Sequence, residues 1–190
     1  MELNEIKKKL LGTLKESRYT HTLGVAYTAS AMAMALGQDI EQAFRAGLLH
    51  DCAKGYSINR QIELCGQYGI LLTKEMNESP QLLHSALAPY IARDYYENRD
   101  AEIASAVECH TTGKPGMSIL DKIIFIADYI EPGRAEIPGL SKARRLAFSD
   151  IDHCLLGIME NTIQYLEKKG QTIDQRTIET YEYYKEGDHT

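Results

Sequence analysis

Residues 39–55 read Asp39-Ile40-Glu41-Gln42-Ala43-Phe44-Arg45-Ala46-Gly47-Leu48-Leu49-His50-Asp51-Cys52-Ala53-Lys54-Gly55. Asp39 is a suitable N-cap for a helix running to about Lys54, and Gly55 is placed to end it. The apolar run Ala46-Gly47-Leu48-Leu49 carries the chain into His50-Asp51. An imidazole and a carboxylate side by side offer nitrogen and oxygen donors suited to Mn, Fe, Co or Zn. One such pair arises by chance, and an ordinary helix terminus accounts for it equally well.

Outward from this stretch the pattern stays helical. Residues 3–16 are amphipathic. Residues 20–36 are rich in Ala, Met and Leu and stop at Gly37. Ser57 caps a helix ending near Gly69. Ser79-Pro80 reads as a cap followed by proline at the first helical position, with the helix running to Glu97. Asp100 caps 101–111, which Gly113-Lys114-Pro115-Gly116 breaks. Ser118 with Asp121 forms a capping box for 119–130, ended by Glu131-Pro132-Gly133. Residues 133–149 are irregular or hold one short helix; helices 150–169 and 174–186 follow. Alternating strand patterns are nearly absent, so the expected class is all-α, a helical bundle forming a single domain over 1–190. The C-terminal helices 150–186 are expected to pack on that same domain.

Bulk properties narrow the function. The chain has 190 residues, 44% hydrophobic and 25% charged, as in ordinary globular proteins. Its net charge of −6 argues against broad nucleic-acid binding. A small anionic substrate is compatible if a metal supplies the positive field. No stretch is apolar enough for a signal peptide or a membrane span, so the cytoplasm is the expected location. The four cysteines (Cys52, Cys65, Cys109, Cys154) lack C-x-x-C pairing and read as buried free thiols.

Of six histidines, His21, His50, His84 and His110 fall on four different expected helices, each with apolar or small flanks. Any one of them is most often a satisfied core residue. Four together with two carboxylates fit a metal site in a bundle core better. The second carboxylate is Asp128, within Lys122-Ile123-Ile124-Phe125-Ile126-Ala127-Asp128-Tyr129-Ile130. Buried unpaired it would cost several kcal/mol. An Arg or Lys partner relieves that cost, and so does a metal, which is the favoured reading.

The order His21…His50-Asp51…His84…His110…Asp128 resembles the HD superfamily of metal-dependent phosphohydrolases, in its two-metal subset. The match is closer to the bacterial YqeK-type symmetrical bis(5′-nucleosyl)-tetraphosphatases. It is carried by Arg18-Tyr19-Thr20-His21-Thr22, His50-Asp51-Cys52-Ala53-Lys54, His84-Ser85, His110-Thr111-Thr112-Gly113 and Ala127-Asp128-Tyr129-Ile130-Glu131-Pro132-Gly133-Arg134, all within 18–134. A looser resemblance continues at Ile173, Thr177 and Tyr181, and makes 170–175 a candidate wall of the nucleotide pocket. The resemblance implies two divalent transition metals, iron in the cell with Mn or Co able to substitute. One metal would take His21, His50, Asp51 and Asp128; the other would take His84, His110 and the second oxygen of a bridging Asp51. A water or hydroxide would also bridge. The implied reaction is hydrolysis of diadenosine tetraphosphate and related dinucleoside polyphosphates to two nucleoside diphosphates, with Asp51 and Lys54 as catalytic residues.

Two divalent ions against two carboxylates leave about +2, an anion trap inside an acidic protein. Phosphate contacts are expected from Arg18, Lys54 and Arg134, and from Thr111, Thr112 and Gly113 beside His110. For each cation the alternative is a solvated surface charge, and for the Thr-Thr-Gly turn simple helix termination. Lys54 lies three residues after Asp51, on one helical face. His153 and His189 are left outside the site, and Tyr181, Tyr183 and Tyr184 read as packing. Rival functions are another HD phosphohydrolase (nucleotidase or cyclic-nucleotide phosphodiesterase), a di-iron oxygenase and a metal-bound nucleotide sensor. Expected partners are small nucleotides, with neither nucleic acid nor membrane; a homodimer is allowed.

Overall fold

The computed structural model describes residues 1–187. The described residues form eleven α-helices and no strand: α1 (Leu3–Thr13), α2 (Glu16–Ala35), α3 (Ile40–Leu49), α4 (Ile58–Gln67), α5 (Lys74–Glu78), α6 (Leu83–Tyr96), α7 (Ala101–Cys109), α8 (Ile119–Ile130), α9 (Leu140–Leu146), α10 (Ile151–Lys169) and α11 (Gln175–Lys185). Short 3₁₀ turns occupy Cys52–Gly55 and Pro80–Leu82. The all-α expectation therefore holds.

Local signals account for most boundaries. Asp39 accepts a hydrogen bond from the Gln42 amide, Ser57 from Arg60, Asp100 from Glu102 and Ile103, and Asp150 from His153. The Ser118–Asp121 capping box is present in both directions. Gly37 follows α2 at φ 66°, and the Gln38 amide reaches back to the Ala33 carbonyl, a Schellman-type close that favours glycine.

Three boundaries differ from expectation, and one helix is added. Helix α2 begins at Glu16, not near 20, after a two-residue extended bend at Leu14-Lys15 that buries Leu14. Helix α3 ends at Leu49, not Lys54; beyond it the His50 ring bonds the Gly47 carbonyl and the chain tightens into the 3₁₀ turn. Pro80 opens a 3₁₀ turn, and Ser79 caps nothing with its side chain. Helix α5 adds to the expected set, with Thr73 capping it through the Met76 amide. Helix α9 is the one short helix of 133–149.

The apolar centre is α8, whose Ile123, Ile124, Ile126 and Ala127 are fully buried. It packs on α2, α3, α7, α9 and α10, while α2 and α3 make the most extensive helix pair. At their crossing, a Cβ on Gly47 would come 2.6 Å from the Ala26 Cα. The two backbones therefore touch, which brings the last turn of α3 beside the middle of α2. The C-terminal helices seal the far side: the Tyr184 hydroxyl accepts from the Met117 amide, and Thr180 and Met159 close over Gly113. Among the described residues no helix is long and apolar enough to cross a membrane.

Candidate metal centre

Five helices and their ends deliver the six expected ligands to one place. His21 projects from α2, His50 and Asp51 from the end of α3, and His84 from α6. His110 caps the end of α7, and Asp128 lies in the last turns of α8. All but Asp128 and His21 are at most 4% exposed; those two are 23% and 11% exposed at the side chain.

The ring orientations follow from backbone chemistry. A carbonyl can only accept, so each Nδ1 that meets one must carry the proton. His50 Nδ1 donates to Gly47 O at 2.7 Å, His110 Nδ1 to Val107 O at 2.8 Å, and His84 Nδ1 to Gln81 O. His50 and His110 thereby also satisfy carbonyls that a helix end leaves without an intrahelical partner. In each of the three rings the neutral form then leaves the lone pair on Nε2, turned inward.

Those lone pairs converge on Asp51. His84 Nε2 is 3.2 Å and His110 Nε2 3.8 Å from Asp51 Oδ1, whereas His50 Nε2 is 3.4 Å and His21 Nε2 4.0 Å from Oδ2. His21 Nε2 also lies 3.0 Å from Asp128 Oδ1, and His84 and His110 face each other Nε2 to Nε2 at 3.1 Å. Three of these buried atoms, His21 Nε2, His50 Nε2 and Asp51 Oδ1, make no hydrogen bond. Buried acceptors left unpaired at such distances repel one another and call for a cation between them. The groups His21–His50–Asp51, His50–His110–Asp128 and Asp51–His84–His110 are each compact enough to hold an ion. The donor set, imidazole and carboxylate without thiolate, fits a divalent transition metal.

Burial and mutual charge set the protonation. Burial lowers His84, the Asp51 carboxylate opposing only in part. Burial, with His84 and His50 beside it, takes His110 down to about 3. For His50, burial also pushes downward, but the Asp51 charge outweighs it and the pKa is raised. Asp51 and Asp128 are both held below the usual carboxylate range: burial opposes this, and the neighbouring histidines prevail. The site thus presents neutral imidazoles at His84 and His110 and two ionised carboxylates.

Cations rim the cluster. Arg18 Nη1 lies 2.8 Å from Asp51 Oδ2, and Arg134 Nη2 3.8 Å from Asp128 Oδ1. Lys54 is half-buried, its pKa lowered by that burial and partly restored by Asp51. Asp51 and Lys54 share no α-helical face, because α3 has ended; the three-residue period of the 3₁₀ turn keeps them on one side instead. Thr111 Oγ1 stands 3.2 Å from His110 Nε2 and 3.5 Å from His84 Nε2.

Two expected residues sit differently. Thr112 is buried, its hydroxyl on the Gly113 carbonyl. Gly113 adopts φ 70° with Thr180 and Met159 against it, so helix termination and packing account for it here. His153 pairs with Asp150 on the surface, as expected, and His189 lies outside the described residues. Tyr184 has a packing role, with Lys122 over its ring at 5.0 Å. All four cysteines are buried and free. In the sequence Glu131 reads as a helix terminator; in the fold its carboxylate is buried and accepts from His21 Nδ1 at 3.1 Å. The one sequence signal for this contact is position, a carboxylate directly after the helix that bears Asp128.

A helical bundle with this His-Asp cluster is an HD domain: the family model "HD domain" matches residues 18–133, and the chain belongs to that family. Within it the chain is similar to the "Bis(5′-nucleosyl)-tetraphosphatase, symmetrical" of Bacillus subtilis (strain 168), with 34% identity covering 92% of each chain. The enzyme of the same name from Halalkalibacterium halodurans is 39% identical, over 88% of this chain and 89% of that one. A crystal structure of a "predicted HD superfamily hydrolase involved in NAD metabolism" from Clostridium acetobutylicum superposes with a TM-score of 0.94 at 39% identity, covering 99% of both chains.

Proposed function

We propose that this protein hydrolyses diadenosine tetraphosphate and related dinucleoside polyphosphates symmetrically, releasing two nucleoside diphosphates. The similarity to two symmetrical tetraphosphatases over most of the chain supports the substrate class and the symmetry. The observation that carries the chemistry is Asp51, whose two oxygens face two different sets of histidines. That arrangement suits a carboxylate shared between two ions. One ion would be held by His21, His50, Asp51 and Asp128, and the other by Asp51, His84 and His110. Iron is the metal proposed in the cell, with Mn or Co as substitutes.

When bound, such a pair lowers the pKa of water and draws charge from phosphoryl oxygens. The chain's own groups do the rest. Arg18, Lys54 and Arg134 bind and orient the polyphosphate at the rim. Arg18 exchanges part of its contact with Asp51 for a phosphate oxygen. Thr111 offers a hydroxyl beside the two histidines it touches. Asp51 holds its ligand partners in register, and Lys54, drawn down by burial, is placed to supply charge or a proton to the departing diphosphate. We take residues 1–190 as one such domain, acting on small nucleotides, in the cytoplasm, without nucleic acid; a homodimer is compatible.

Chromatography of the products from diadenosine tetraphosphate tests the reading. ADP alone is expected. AMP with ATP would overturn the symmetry and leave the metal site standing. Turnover of mononucleotides, cyclic nucleotides or NAD in place of the tetraphosphate would move the protein to another HD phosphohydrolase activity. Oxygen consumption would favour an oxygenase, and no turnover by fully loaded protein a nucleotide sensor.

A further inference from the structure

Glu131 ends α8 with a carboxylate that is 3% exposed. None of its hydrogen-bonded partners is a Lys or Arg side chain reaching that carboxylate: Oε1 accepts from His21 Nδ1 at 3.1 Å, and Oε2 accepts from the Gly133 amide at 2.6 Å. Arg144 is close, but it donates to the Ile130 and Glu131 backbone carbonyls and so pins the main chain. A buried carboxylate without a cation is costly unless charge nearby compensates it. The metal cluster would add a positive field one imidazole away, on the side where Oε1 meets His21.

The surroundings are shaped for this contact. A Cβ on Gly24 of α2 would lie 2.5 Å from Glu131 Oε2, and one on Gly133 would lie 3.0 Å from the same atom. Glycine at both positions leaves the room the carboxylate occupies. His21 is also the exception among the four histidines. The other three Nδ1 atoms are satisfied by a carbonyl three residues earlier on their own chain segment. His21 lies mid-helix, where backbone carbonyls are already engaged, and it takes its partner from another helix.

We propose that Glu131 is a positioning residue for the metal centre. Its carboxylate keeps the proton of His21 on Nδ1, aims Nε2 at Asp51 and Asp128, and adds negative charge to one half of the cluster. This rests on the metal-centre reading above. A histidine oriented by a carboxylate is a stronger ligand than one oriented by water, and loss of such a partner typically weakens metal binding by roughly 10- to 100-fold. The effect should fall on one ion only, because His84 and His110 have their own backbone partners.

The test uses the full chain, stripped with chelator and titrated with Zn²⁺ in a calorimeter. Wild type is expected to bind two ions. In Glu131→Gln, one binding event should weaken about 10- to 100-fold, the other should be unchanged, and the melting temperature without metal should stay near wild type. Gly24→Ala should give the same selective loss with the charge still present, because the new methyl displaces the carboxylate. Two unaltered binding events would overturn the proposal. So would equal weakening of both ions with a lower metal-free melting temperature, the mark of a purely structural cap. Should the variants not fold, ¹⁵N chemical shifts of His21 in the Zn²⁺-loaded wild type decide: Nδ1 protonated is expected, and Nδ1 bound to zinc overturns it. A wild-type chain that binds no metal sinks the metal-centre reading itself, before any variant is made.

Discussion

Asp51 is the residue on which the ligand assignment turns. Its two oxygens meet different histidines, so Asp51→Ala should lose activity and most bound metal, whereas His84→Ala should chiefly empty one site. Metal analysis after gentle anaerobic purification separates them; two normally loaded variants would break the assignment. Lys54→Ala and Arg134→Ala should keep both ions yet lose roughly ten- to hundredfold in turnover or affinity, since a charge-assisted contact to phosphate contributes about 1.5–3 kcal/mol. Unchanged kinetics in both would return them to surface charges. At this scale the six donors are legible in the sequence, because imidazoles and carboxylates set in apolar helices are costly unless something pairs with them. Glu131 is not: a carboxylate before Pro-Gly looks like a helix end, and only the three-dimensional fold puts His21 against it. Arg18 shows the same limit. Its spacing places it near His21, while its bond to Asp51 depends on where α3 stops.

Helix contacts carry the geometry one level up. The α2–α3 crossing depends on Gly47, where a methyl would stand 2.6 Å from the Ala26 Cα. Gly47→Ala should therefore push the helices apart, costing about 1–3 kcal/mol, or roughly 2–12 °C in melting temperature for a chain of this length. It should also weaken the ion held by His21 and His50. Differential scanning calorimetry and Zn²⁺ titration report the two effects, and an unshifted melting temperature would mean the helices can yield. Caps such as Asp39, Ser57 and Ser118 are readable because their bonds are local. The stop of α3 at Leu49 is not, because the His50 ring wins a carbonyl from the helix, and that choice is made by the site. Helix α5 escapes because five residues carry too little periodicity.

Across the whole molecule, the proposed ions tie α2, α3, α6, α7 and α8 together. At a free concentration one hundred times Kd, each ion stabilises by about 2.7 kcal/mol, so chelation should lower the melting temperature by roughly 5–10 °C per site. The stripped protein should also be acid-sensitive. His84 and His110 are held below the ordinary value of 6.5, His110 at about 3. Between that value and 6.5 the unfolded chain binds more protons than the folded one, so stability falls as pH falls through the window. Asp51 and Asp128 add the same sign further down; His50, raised, opposes it. The urea midpoint of metal-free protein should accordingly be lower at pH 5.5 than at 7.5, and an equal or higher midpoint would contradict the protonation pattern. The buried cysteines give these openings a clock. Burial raises every one of the four thiols, Cys109 and Cys154 to about 12, so the native state offers an alkylating reagent almost no thiolate. Iodoacetamide should label the chain only as fast as it breathes, and Cys52 and Cys109, the immediate neighbours of Asp51 and His110, should fall silent first when metal is added.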